Sequence, residues 1–271
     1  MDPLHAVALG IVQGLTEFVP ISSSGHLVLV PAVLGWSGNS LAFDTVLHLG
    51  TLLAVLTYFR QDWLRVIRAW AASMRRRRVT SADERLAWFV ALGSVPAGLA
   101  GLLFEDWFEA MFAQPVAVSC FLLTTAALLA VAERLSRQER DLAKLRLVDV
   151  VVVGLAQALA ILPGISRSGA TISGGLLLGL TRAASARFSF LLAAPAILGA
   201  GISQLPDALH QQTGGADALA LALGFVAATV TGYVCIDLLL RYLRHRSLYP
   251  FAGYCAALGL ASGLVLGGFL A

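Results

Sequence analysis

Apolar residues run along this chain in long blocks, without the short alternations of a soluble fold. Six blocks, 41–59, 86–104, 112–132, 186–205, 218–240 and 250–270, are long enough to cross a membrane, because ~20 helical residues span a ~30 Å hydrocarbon core. Backbone groups in hydrocarbon have no water to bond, so each block is predicted to be a helix. Two more apolar regions are interrupted. Residues 4–18 are stopped by Pro20 and Ser22-Ser23-Ser24-Gly25, and a shorter segment, 25–36, resumes. Residues 148–162 are stopped by Pro163-Gly164 and Ser166-Arg167-Ser168-Gly169, and 170–180 resumes. At ~1.5 Å per residue, neither half of either region spans alone. Each therefore reads as a re-entrant helix-loop-helix hairpin, 4–36 and 148–180, reaching the membrane middle.

The two interruptions are related. At an offset of 144 residues, Gly10, Gln13, Leu15, Ile21, Ser22, Ser24 and Gly25 coincide with Gly154, Gln157, Leu159, Ile165, Ser166, Ser168 and Gly169. That makes seven identities across positions 10–25, where ordinary residue frequencies give about one. The chain is read as one membrane domain, 1–271, built from two repeats, 1–135 and 148–271, each a hairpin followed by three spans. Three is odd, so the second repeat lies inverted relative to the first. The predicted fold class is an all-α polytopic membrane protein, an inverted-topology repeat with six transmembrane helices plus two re-entrant hairpins.

Charge gives an independent reading of orientation. Lys and Arg concentrate in 60–85, 133–147 and 241–247, and the intervening 105–111 and 206–217 have none. Alternating basic loops belong in the cytoplasm. Both termini are then periplasmic, and the hairpins enter from opposite sides, so that their tips meet near the midplane, as broken helices do in inverted-repeat transporters.

Composition agrees. The chain is 58% hydrophobic and 13% charged, against ~25% charged in a soluble domain, and no polar block is long enough for a separate domain. The net charge of +3 sits in short loops, so it is a topology signal and not a nucleic-acid footprint. Cys120, Cys235 and Cys255 stand alone in apolar runs and read as small buried hydrophobes. Asp2 and the absence of a basic leader argue against a cleavable signal.

Chemistry concentrates at the two breaks. An ionised group at the bilayer centre costs roughly 2.5–3.5 kcal/mol on insertion scales. Glu17 and Arg167 both bear that cost, and the crossed tips bring them together. Ser/Gly turns that open helices are anion cradles, with N–H groups and the positive helix end facing the ligand. Two of them with an arginine between suit a phosphate or pyrophosphate. Structural roles fit the same residue types. Glu17 and Arg167 make a buried ion pair; the serines are N-caps; His26 is a bonded core histidine; Gln13 and Gln157 are interhelical glue. His48 reads as packing or glue, Arg75–Arg78 as a solvated basic loop, and Asp237 as the partner of Arg241 one turn on.

The run Glu17-Phe-Val-Pro-Ile-Ser-Ser-Ser-Gly-His26, with Pro163-Gly-Ile-Ser-Arg-Ser-Gly-Ala-Thr171, resembles the undecaprenyl-pyrophosphate phosphatases, the bacitracin-resistance family. The stretches Phe43 to Arg60 and Phe188 to Pro195 extend the resemblance over nearly the whole chain. It implies hydrolysis of undecaprenyl pyrophosphate to the carrier monophosphate, used in cell-wall synthesis, at a periplasm-facing site in the bacterial inner membrane. The partners implied are the polyprenyl pyrophosphate and membrane lipid, with no nucleic acid; a homodimer is compatible with it. The resemblance makes Glu17, Ser23, His26 and Arg167 central, with Ser22, Ser24, Gly25, Ser166, Ser168, Gly169 and Thr171 around the phosphates. It implies a divalent cation, Mg²⁺ or Ca²⁺, held by Glu17. The family often has glutamate where this chain has Gln13, so Gln13 offers an amide oxygen in place of a second carboxylate. Ser23, activated by Glu17 or His26, is the first candidate nucleophile and water the second. A secondary transporter or lipid flippase is the rival reading. An acid-phosphatase-type site is disfavoured, because no His follows Arg167 before His210.

Overall fold

The structure is a computed structural model that describes residues 2–35, 40–112, 114–211 and 217–268. It is almost entirely helical, with no named strand among the described residues. The helices are α1 Pro3–Phe18, α2 Ser23–Leu34, α3 Leu41–Tyr58, α4 Arg60–Arg76, α5 Ala82–Leu103, α6 Glu105–Phe112, α7 Pro115–Leu135, α8 Leu147–Leu159, α9 Arg167–Leu177, α10 Arg182–Gln211, α11 Asp217–Leu243 and α12 Tyr249–Gly268. The distal end of the first hairpin at 36, residues 212–216 of the expected loop 206–217 and the last residues of the 250–270 span lie outside the described residues; 206–211 belong to α10.

Among the described residues, five helices are long and apolar enough to cross a membrane: α5, α7, α10, α11 and α12. A sixth span is obtained if α3 and α4 are taken as one pair, bent by 80° at Phe59. Large apolar side chains stand outward on these helices, Leu99, Leu102, Val230 and Leu264 among them. A surface this apolar is stable against lipid and not against water. Two expectations are corrected. Residues 60–85 are not a loop over most of their length: 60–76 form α4, whose apolar and basic positions recur at helical spacing. Residues 105–111, expected as a connecting loop, lie in the short helix α6.

The breaks fall where backbone chemistry requires them. α1 starts on Asp2, whose carboxylate accepts from the Leu4 N–H at 2.9 Å, with Pro3 at the first helical position. It ends at Phe18, because Pro20 disfavours helical geometry at the preceding residue, and Val19 is extended (φ −68°, ψ 138°). α8 stops three residues short of Leu162, and Gly164 takes a φ of +99° where a Cβ would lie 2.4 Å from the Val118 carbonyl. By length, α1, α2, α8 and α9 measure about 24, 18, 20 and 17 Å at 1.5 Å per residue. None crosses a ~30 Å core by itself.

Glycines let these short helices dock. A Cβ at Gly10 would lie 2.4 Å from the Gly224 carbonyl, and one at Gly154 would lie 2.8 Å from that of Gly93. Small residues permit such backbone-to-backbone approach between membrane helices. Gly10 and Gly154 are equivalent at the 144-residue offset. Accordingly α1 packs on α11, and α8 packs on α5. Between them lies the main core, where Phe18 at the foot of α1 meets Phe190 of α10 edge-to-face at 5.4 Å. Ion pairs tie the helices together here: Arg182 with buried Glu133, Arg140 with buried Asp149, and the more exposed Arg187 with Asp62. The exposed pair Arg241–Asp237 forms as expected, at 2.8 Å.

Candidate active site

The two interruptions meet. Ser24 Oγ accepts from the Gly164 N–H at 3.4 Å, and Ser168 Oγ donates to the Val19 carbonyl at 3.1 Å. Each tip repeats the same capping pattern. Ser22 Oγ accepts from Gly25 N–H at 3.2 Å and lies 3.2 Å from Ser24 Oγ. Ser166 Oγ accepts from Gly169 N–H at 3.0 Å and lies 3.1 Å from Ser168 Oγ. One difference stands out: Ser22 holds a φ of +69°, in the left-handed region that costs a non-glycine residue of order 1–3 kcal/mol. Backbone strain of this kind clusters at functional sites, where the surrounding structure enforces it.

Glu17 sits at the junction. Its Oε1 accepts from the Arg167 guanidinium at 2.6 Å. Its Oε2 accepts from Ser23 Oγ at 2.6 Å and from Gln13 Nε2 at 3.0 Å. His48 Nε2 lies 3.8 Å from the same oxygen. The other end of the guanidinium donates to the Ala193 carbonyl of α10 at 3.1 Å. These contacts use two of the five N–H donors of Arg167. Charge-assisted bonds of this length are among the stronger ones in proteins.

The junction forms one wall of a cavity of about 600 Å³. Glu17, Ser22, Ser23, Ser24, Ser166 and Arg167 line it from the tips, and Asp44, Thr45, His48 and Gln204 line it from α3 and α10. The rest is apolar and includes Leu27, Val28, Phe112, Ile161, Ile165 and Ile197. The cavity therefore mixes an ionic, hydroxyl-rich wall with apolar lining, which suits an amphiphile with an anionic head.

The remaining expected residues are elsewhere. His26 is buried in the first turn of α2 and does not line the cavity. Its Nδ1–H donates to the Ser22 carbonyl at 2.7 Å, and its Nε2 takes the Tyr254 hydroxyl at 2.6 Å, with the two rings stacked at 5.6 Å. Thr171 Oγ1 bonds the Arg167 carbonyl and Ser189 Oγ, each at 2.7 Å, and so ties α9 to α10. The N–H groups of Gly25 and Gly169 are spent on the caps. Gln13 stands one turn behind Glu17, fully buried, with its Oε1 unpartnered. Conversely, His48, Asp44, Gln204 and Tyr254 were not singled out as site residues. Only the quoted resemblance over Phe43 to Arg60 pointed at the first two. Cys235 and Cys255 are buried as expected, but Cys120 is exposed.

Residues 6–261 match the family described as Bacitracin resistance protein BacA. The chain belongs to that family. Curated relatives of this BacA-family chain include Undecaprenyl-diphosphatase of Rubrobacter xylanophilus, 46% identical over 98% of this chain and 99% of that protein. Undecaprenyl-diphosphatase 2 of Stutzerimonas stutzeri is 45% identical over 96% of each chain. Undecaprenyl-diphosphatase of Mycolicibacterium smegmatis is 44% identical over 98% of each. The similarity spans both tips and every helix that lines the cavity, so the BacA-family relationship covers the whole architecture described above.

Proposed function

We propose that the chain is an undecaprenyl-diphosphatase, which cleaves the terminal phosphate from the lipid pyrophosphate and returns the carrier monophosphate to cell-wall synthesis. One observation carries the mechanism: Ser23 and Arg167, from opposite tips, both bond the Glu17 carboxylate at 2.6 Å on the cavity wall. A serine hydroxyl against a buried carboxylate is a nucleophile next to its base. Ser23 Oγ attacks the terminal phosphorus, and its proton passes to Glu17. The bond from phosphorus to the bridging oxygen breaks, and the lipid monophosphate leaves with that electron pair. Water then cleaves the phosphoserine, releasing inorganic phosphate and restoring Ser23. Arg167 and the tip hydroxyls hold the non-bridging oxygens, where phosphoryl transfer most needs neutralisation. His26 Nε2 is committed to Tyr254 and does not face the cavity, so Glu17 is the better base for Ser23. The polyprenyl tail lies against the apolar lining of the cavity, such as Leu27, Val28, Ile161 and Ile197.

A divalent cation is part of this reading, although among the described residues no cluster of three or more His, Cys, Asp or Glu side chains gathers to hold one. A buried acceptor such as Gln13 Oε1 calls for a donor or a positive charge, and it sits on the amide that bonds Glu17. Glu17 and Gln13 would hold Mg²⁺ or Ca²⁺, and the ion would supply charge to the pyrophosphate oxygens. The repeats are read as inverted, with the hairpins re-entrant from opposite faces and the cavity open to the periplasm across the bacterial inner membrane. A homodimer is compatible with this placement. Broken helices meeting tip to tip also favour a transporter or flippase reading. Purified protein decides between them: it should release inorganic phosphate from a C55 pyrophosphate in detergent and lose that activity in EDTA. No release at any Mg²⁺ or Ca²⁺ concentration would leave the transport reading in its place.

A further inference from the structure

α4 is buried along one face only; its other two faces are largely exposed, touching the bundle through Trp70 against Trp88 and Arg76 against Glu84. The buried face carries Asp62, Val66 and Ser73. Asp62 pairs with Arg187 of α10 at 2.6 Å, and Ser73 Oγ accepts from the Trp88 indole N–H of α5 at 3.0 Å. These bonds fix the helix rotationally against the bundle. At roughly 100° per residue, Leu64, Ile67, Trp70 and Met74 fall together on a second face. They stand 52%, 57%, 44% and 50% exposed, which is unusual for large apolar side chains on a helix as polar as this one. The third face carries Arg65, Arg68, Arg75 and Arg76, and Arg77 and Arg78 follow past the helix end. Arg65 pairs with Asp62 and Arg76 with Glu84. Among the described residues no carboxylate pairs with Arg68, Arg75, Arg77 or Arg78.

We propose that α4 is a docking helix for anionic phospholipid head groups, lying in the membrane interface with its apolar face among the acyl chains. Three observations carry this. The 80° bend at Phe59 turns α4 across the direction of α3. Apart from Arg60 in the first turn, the apolar and basic residues occupy adjacent, distinct faces of the helix, the arrangement of interfacial amphipathic helices. The unpaired arginines give an excess of fixed positive charge directly beside the apolar face, and a phosphodiester anion anchored by acyl chains complements both at once. The occupant is a lipid and not free phosphate, because a soluble anion leaves the Leu64–Met74 face uncovered. The inference does not depend on the phosphatase reading.

The test uses the full chain in phosphatidylcholine bilayers, with the apparent affinity for a dansyl-labelled phosphatidylglycerol read by energy transfer. The wild type should prefer it over dansyl phosphatidylcholine, and added salt should erode the preference. The fourfold variant Arg68→Gln, Arg75→Gln, Arg77→Gln, Arg78→Gln should bind phosphatidylglycerol about 5-fold or more weakly, the fold-change expected of a single arginine near an anionic surface. Arg244→Gln with Arg246→Gln, at positions outside α4, should weaken that binding less than the fourfold variant does. Should the fourfold variant fail to fold, Ile67→Gln with Met74→Gln serves in its place and should weaken the preference likewise. Unchanged phosphatidylglycerol affinity in the folded α4 variants would overturn the proposal. So would equal competition by soluble glycerophosphate, which would make the arginines a site for adventitious anions only.

Discussion

Glu17, Ser23 and Arg167 make separable predictions, because each contributes a different chemical property. Ser23→Ala removes the attacking oxygen and should lower turnover to under a tenth of wild type at unchanged thermal stability; a rate above that favours attack by water. Arg167→Lys keeps the charge but loses the planar fork that can grip two phosphate oxygens. One lost charge-assisted contact is worth roughly 1.5–3 kcal/mol, or about 10- to 150-fold at 1.4 kcal/mol per decade. If the arginine served only to neutralise Glu17, turnover per folded molecule in Arg167→Lys would stay near wild type. Gln13→Glu should lower the Mg²⁺ concentration needed for half-maximal activity, and it should raise the metal-dependent shift in melting temperature; an unmoved titration and an unmoved shift would remove Gln13 from the metal site. The serines and Arg167 were legible because hydroxyls and a charge inside apolar sequence carry a visible cost. His48 was not. It reaches Glu17 across a packed helix pair, and nothing in its own neighbourhood distinguishes that contact from helix glue. The commitment of His26 to Tyr254 spans 228 residues and was invisible for the same reason.

Helices that end early are as informative here as those that cross. Pro20 and Pro163-Gly164 announced both breaks, since proline removes a donor and restricts its predecessor. The helix α4 escaped notice because its arginines dominate any average over the segment; its apolar face appears only when positions are followed at helical spacing. The glycines of α1 and α8 make a prediction at this scale. Gly154→Leu places a side chain where even a Cβ would meet the Gly93 carbonyl at 2.8 Å. Overpacking typically costs about 1–3 kcal/mol, and backbone in the way leaves less room to relax. Gly154→Leu should therefore unfold at a clearly lower temperature in detergent than wild type, and Gly10→Leu should behave alike. Substitution at Gly253, where an added Cβ meets nothing within 4 Å, should not. Equal melting temperatures for all three variants would mean that the glycine contacts do not hold the short helices in place.

At the level of the whole molecule, two broken helices place a carboxylate, a hydroxyl and a guanidinium on the wall of a largely apolar cavity. Helical content, multiple spans and tandem breaks were all readable from apolar block lengths and the 144-residue register. Which helix of one half packs on which of the other was not readable, because glycine contacts such as Gly10 on Gly224 leave no periodic signal. With the basic segments cytoplasmic, an impermeant thiol reagent added outside should label a cysteine placed at 211 and miss one placed at 78; the opposite pattern would invert the orientation. The central claim is that Glu17, at the meeting of the tips, is the group on which phosphate release depends. The most direct measurement is phosphate release from C55 pyrophosphate per folded molecule, wild type against Glu17→Gln, in one detergent at saturating Mg²⁺. Loss of a general base typically costs 10²- to 10⁴-fold, and a fall of about that size is the expected result. Glu17→Gln turning over within a factor of about ten of wild type would contradict the account.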